Sequence, residues 1–154
     1  MGETMLALIN AAADKWKLSP RLVNAIVQAE SDGNPFAIRY EPGIKAKYIQ
    51  SPKKHRPMGC SLATEYRLQM FSFGLMQVLG FNIRAMGYGG WLTEYVDPEK
   101  GLEVGCNHLA GLLRRWPKVE DAVSAYNQGS PRKDDLGNYE NQEYVDRVMA
   151  LVRR

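Results

Sequence analysis

Ser19-Pro20 and Asp97-Pro98 each set a helix-capping residue directly before a proline, and both precede apolar residues at helical spacing. The two pairs constrain the fold more than any other feature. Proline suits the first helical position, where its missing N–H has no intrahelical partner and its fixed φ already fits. A serine or aspartate before it supplies an oxygen for a first-turn N–H. After Ser19, Leu22, Ile26 and Glu30 recur at steps of four with Val23 and Val27 beside them, and Gly33-Asn34-Pro35 stops the run. After Asp97, a helix extends to about Trp116, before Pro117. Leu6, Ile9 and Ala13 mark an earlier helix ending near Trp16. Helical signal also covers Leu62 to Met70, Ser72 to about Met86, Val119 to Tyr126, and a last segment carried by Tyr144, Val145, Val148 and Leu151. The expected fold is all-α, a single domain over residues 1–154. One long irregular insert, from Asn34 to about Ser61, has room for a short β-hairpin within 36–50.

At 154 residues the chain suits one core, and 45% apolar with 24% charged residues excludes a disordered or fibrous chain. Apolar runs are far shorter than the ~20 residues a membrane helix needs, so no transmembrane segment is expected. Met1-Gly2-Glu3-Thr4-Met5 has no basic stretch leading into an apolar one, so no secretory signal is expected either. The net charge of +3 favours approach to any polyanion, nucleic acid and an acidic wall polymer alike. Cys60 and Cys106 lack metal-site spacing, and His55 and His108 fall in unrelated segments, so neither a metal nor a cofactor is expected. Two free thiols are the expected state of the cysteines, a disulfide between them being the alternative.

Glu30 is the unusual residue. It continues the stripe of Leu22 and Ile26, which points it inward, and it lies in the last helical turn, where the dipole disfavours a carboxylate. Burial and dipole both raise its pKa, the requirement for a general acid acting on a glycosidic oxygen. The competing reading is a last-turn glutamate that bends out to solvent.

Four motifs occur in order: Glu30-Ser31-x-Gly33-Asn34-Pro35, Ser72-Phe73-Gly74-Leu75-Met76-Gln77, Ala125-Tyr126-Asn127-x-Gly129, and Tyr144. Together they resemble the soluble lytic transglycosylase family, which is similar to goose-type lysozymes. The resemblance runs from about Ser19 to Val148. Arg39-Tyr40-Glu41-Pro42-Gly43 looks like the phage-associated branch. The resemblance implies a lysozyme-like fold and cleavage of the β-1,4 bond between N-acetylmuramic acid and N-acetylglucosamine in peptidoglycan. Glu30 would protonate the bridging oxygen, then take a proton from the muramoyl 6-hydroxyl as that group closes a 1,6-anhydro ring. Ser31 would hydrogen-bond near the scissile sugar. Ser72 and the Gly74–Gln77 stretch would form the groove wall, with Met76 and Gln77 facing the glycan. Tyr126 and Asn127 would hold the acid and an N-acetyl group, and Tyr144 would hydrogen-bond the acid.

Roughly forty residues separate Glu30 from Gly74, and they contain two candidates for a second acid, Glu65 and Glu41. In a hydrolytic goose-type lysozyme or chitinase-like glycosidase, such a carboxylate activates water from ~6.5–9.5 Å away. Against this, Glu65 with Arg67 and Gln69 reads as a solvated helical face, and Glu41 beside Arg39 as a structural ion pair. The insert also carries Lys45, Lys47, Lys53, Lys54, His55 and Arg56 among Tyr40, Tyr48 and Ile49. The mixture reads as a basic lip for an anionic wall polymer, a solvated loop being the plainer alternative. A nucleic-acid partner is not expected, because no nucleic-acid motif accompanies the mixture. The expected partner is the peptidoglycan glycan strand, bound by a monomer. The expected setting is a phage lysin made in the host cytoplasm or a domain of a virion protein. A wall-binding or tail-structural module is the non-enzymatic alternative.

Overall fold

The computed structural model describes residues 3–154. Both cap–proline pairs open helices: α2 (Pro20–Ser31) follows α1 (Glu3–Trp16), and α6 (Pro98–Arg115) is the longest helix. Only one of the two capping side chains acts as a cap. Asp97 accepts the Lys100 N–H at 3.1 Å, whereas the Ser19 hydroxyl makes no such bond. The short helices α3 (Pro52–His55), α4 (Leu62–Leu68) and α5 (Gly80–Ala85) lie between, and α7 (Val119–Gln128) and α8 (Gln142–Val152) complete the chain.

The core is a helical layer. Leu22, Val23, Ala25, Ile26 and Val27 of α2 are buried against α8, which contributes Val145 and Val148, while α1 lies on α6 and α7 bridges α6 and α8. Two consecutive left-handed residues, Asp32 (φ 53°) and Gly33 (φ 77°), end α2 immediately after Glu30-Ser31. The chain turns away there, and the last turn of α2 lies against the segment around Leu75, with the Ser31 hydroxyl 2.8 Å from the Leu75 carbonyl oxygen.

The segment from Ser72 to Met86 is not the expected helix. Its first part is a hairpin of β2 (Phe71–Phe73) and β3 (Val78–Leu79), and only then does α5 begin. Strand β1 (Ile38–Tyr40) of the insert pairs antiparallel with β2, so the sheet order is β1-β2-β3 and no local hairpin forms within 36–50. Gly74 (φ 70°) and Gln77 (φ 47°) break the helix, since left-handed residues three apart cannot continue one. A Cβ on Gly74 would lie 2.4 Å from the Tyr95 carbonyl oxygen, so the turn requires glycine. A short apolar run fits either period, and sequence alone does not separate them. The molecule is mainly α, with this small sheet set against the helices.

Cys60 and Cys106 are buried free thiols, and burial pushes the Cys106 pKa up to about 12. Among the described residues, no helix is long and apolar enough to cross a membrane.

Candidate active site

The last turn of α2 carries Glu30 to the wall of a cavity of about 400 Å³. The sheet supplies Ser72, Gln77 and Leu79, the insert side supplies Arg39, Glu41 and Ile44, and the end of α7 supplies Tyr126 and Asn127. The Glu30 side chain is only 9% exposed. Tyr144 of α8 donates its hydroxyl to Glu30 Oε1 at 2.6 Å, and Arg39 Nη2 stands 3.9 Å from Oε2. One turn beyond Tyr144, the Arg147 guanidinium lies 5.6 Å from the Tyr144 ring centre.

These surroundings pull on the carboxyl in opposite directions. Burial raises its pKa and is the largest influence, with nearby Glu41 adding to it. The Tyr144 hydrogen bond, then the charges of Arg39 and Arg147, oppose it without cancelling it. The net result is a carboxyl that holds its proton above the usual carboxylate range. Tyr144→Phe removes the strongest stabiliser of the charged form, so the Glu30 pKa should rise further. The branch of a pH–activity profile that falls as Glu30 loses its proton should then move to higher pH. A profile that stays in place, or moves to lower pH, would contradict the assignment.

Gln77 is spent on holding its own turn. Its Oε1 accepts the Ser72 hydroxyl at 2.8 Å, and its Nε2 donates to the Ala37 and Gly74 carbonyls at 2.9 Å each. Ser72, 2% exposed, thus fixes Gln77 within the cavity wall. The Ser31 hydroxyl lies 2.8 Å from the Leu75 carbonyl oxygen and 3.1 Å from that of Val27, tying α2 to the β2–β3 turn. Asn127 faces the cavity, and its Oδ1 accepts from Asn141 at 2.9 Å.

Met76 does not face the cavity. Its side chain is fully buried against Gly105 of α6, where an added Cβ would lie 2.3 Å from the Met76 sulfur. The missing side chain at Gly105 leaves the space that Met76 fills, so the expectation of a glycan-facing thioether is corrected. The Met76 carbonyl instead accepts the Tyr126 hydroxyl at 2.7 Å and so positions that ring. Leu79 also lines the cavity.

Glu65, the other candidate for a second acid, does not line the cavity. It has no exposure and receives two bonds from Arg84 of α5, at 2.7 and 3.0 Å, and one from Gln69 at 3.3 Å. Nor does it lie on a solvated face, because the arginine that pairs with it comes from a helix beyond the hairpin. Glu41 does line the cavity, where its Oε1 accepts Arg39 Nε at 2.8 Å.

Arg39, expected only as the structural ion-pair partner of Glu41, also lines the cavity next to Glu30. Directly opposed residues on paired strands share a sheet face, and Arg39 is opposite Ser72. The available signal was strand alternation in Ile38-Arg39-Tyr40, which becomes informative once the pairing partner is known. Among the described residues, no group of three or more His, Cys, Asp or Glu is placed to hold a metal.

The model of a family described as the transglycosylase SLT domain matches residues 7–146. A curated protein named Transglycosylase, from Enterobacteria phage PRD1, is 26% identical over 144 residues, which is 94% of this chain and 41% of that protein. The chain therefore spans about two fifths of the length of this relative. No solved structure matches the chain significantly.

Proposed function

The chain belongs to the transglycosylase SLT domain family, and on that premise we propose that it cleaves the β-1,4 bond between N-acetylmuramic acid and N-acetylglucosamine in peptidoglycan, without water and with a 1,6-anhydromuramoyl product. The observation that carries this reading is Glu30: a nearly buried carboxyl on a cavity wall, bonded by Tyr144 and holding its proton more tightly than usual.

Protonated Glu30 gives its proton to the bridging oxygen as the anomeric carbon–oxygen bond breaks. The carboxylate left behind is stabilised by the Tyr144 hydroxyl and by the charges of Arg39 and Arg147, the groups that already favour its charged form. That carboxylate then removes the proton of the muramoyl 6-hydroxyl while its oxygen bonds to the anomeric carbon. Glu30 ends protonated, and no water is consumed. An internal nucleophile held beside the carbon has already lost most of its freedom, so no second carboxylate is needed to place water. Ser72 and Gln77 give the groove a fixed wall, and Tyr126 and Asn127 offer polar edges to the sugar. Ser31 acts through the Leu75 carbonyl, holding α2 and the hairpin at a fixed separation.

The partner in this reading is the glycan strand, approached by a monomer whose exposed Lys45, Lys47, Lys53, Lys54 and Arg56 favour an anionic polymer. A phage lysin or a virion-associated domain is the setting that fits the named relative. A hydrolytic reading has one observation in its favour, namely that Glu41 is a second carboxylate on the cavity wall. Mass analysis of peptidoglycan digests separates the two. The expected products are anhydromuropeptides, each one water lighter than the reducing-end products of hydrolysis. Reducing-end products would transfer the assignment to hydrolysis. Release of nothing by the folded protein would remove both and leave a wall-binding or tail-structural module.

A further inference from the structure

Arg39 has more hydrogen-bonding capacity than its neighbours use. Its Nε donates to Glu41 at 2.8 Å, and Nη2 is 3.9 Å from Glu30, beyond hydrogen-bond reach. Among the described residues, no other acceptor for its guanidinium is found, and its side chain is 59% exposed at the cavity. An uncharged sugar does not require a guanidinium. An exposed Arg–Glu pair also adds little to stability. The pair is nonetheless firmly mounted: Arg39 sits on β1 opposite Ser72, and the Glu41 N–H donates to the Met70 carbonyl at 2.9 Å. Glu41 thus holds the guanidinium by its Nε edge and leaves the Nη edge free. A guanidinium edge with two parallel N–H groups matches a carboxylate bidentately, which a lysine cannot reproduce.

We infer that Arg39 is a binding site for a carboxylate of the substrate, placed beside Glu30 by the Glu41 ion pair. This rests on the glycan-cleaving function proposed above and deepens it. The site selects strands that carry an anion next to the scissile bond over uncharged glycans of the same backbone. Two sources supply that chemistry: the lactyl carboxylate of a muramoyl residue stripped of its peptide, or a carboxylate of the attached peptide.

The test compares kcat/KM for intact strands and peptide-free strands, each before and after amidation of its carboxyl groups. The proteins are wild type, Arg39→Gln and Arg39→Lys. Loss of a charge-assisted bidentate contact should cost the wild type about tenfold or more on amidation, mainly through KM. Arg39→Gln should respond to the same amidation by less than about twofold, with Arg39→Lys between them. An effect confined to peptide-free strands assigns the lactyl group, and one confined to intact strands assigns the peptide; either result supports the site. A wild type indifferent to amidation of both strands overturns it, as does an Arg39→Gln variant that responds as strongly as wild type. If wild type cleaves no preparation at all, the proposed function itself fails, and this site fails with it.

Discussion

Glu30→Gln is expected to fold as wild type and to lose roughly 10²- to 10⁴-fold in turnover of peptidoglycan, the range over which a positioned general acid contributes. Glutamine keeps the shape and an oxygen that still accepts the Tyr144 hydroxyl, but it has no proton to give. The stability of the variant is a second and independent reading. Folding raises the Glu30 pKa, so the folded state binds the proton more tightly than the unfolded state does. Ionising Glu30 therefore opposes folding, and stability is lost as pH climbs through the interval between the unfolded and folded values. Below that interval both states are protonated and wild type keeps the full contribution. At neutral pH the glutamine variant should melt no lower than wild type, and its advantage should shrink as the pH drops through the ordinary carboxylate range. Melting curves across pH, beside digest rates, check both parts. Near-native turnover would remove Glu30 from its role, and a large loss of stability at neutral pH would contradict the burial argument.

The second large effect lies away from the cavity. Arg84→Met should destabilise the protein by about 3–5 kcal/mol, because it leaves Glu65 as an unpaired charge in the interior. For a chain of this size that corresponds to a melting temperature lower by roughly 10 °C. The Tyr88 and Gly90 carbonyls, which accept from Arg84 at 2.9 and 2.7 Å, lose their donor as well. Replacing both partners, Glu65→Leu with Arg84→Met, should recover part of the loss, since two apolar groups leave no charge to solvate. Below its melting temperature, the single variant should retain turnover within about twofold of wild type. If Glu65→Gln folded normally and was as inactive as Glu30→Gln, Glu65 would return as a catalytic acid.

The fate of Glu65 shows where one-dimensional reading reaches its limit. In the sequence it stands near Arg67 and Gln69, which suggests an exposed face; in space its partner is Arg84, nineteen positions on. Met76 shows the same thing in the core. Its direction is set by the space above Gly105, a residue on a helix that the local motif says nothing about. The place of Arg39 on the cavity was not legible, because strand alternation gives two faces without saying which one looks onto Glu30. Glu30 itself was legible, because its periodic spacing, last-turn position and motif all depend on neighbours a few residues away.

Residues close in sequence thus settled what depends on near neighbours. Capping residues, prolines and apolar spacing set the main helices, and the ordered motifs identified the family. Tertiary structure decided what depends on the meeting of distant segments: the sheet in place of a helix, the burial of Glu65 and Met76, and the placing of Arg39 and Glu41 on the same cavity as Glu30. Helix signals are written within one or two turns of chain, whereas strand partners and buried ion pairs are chosen by packing among all the segments at once.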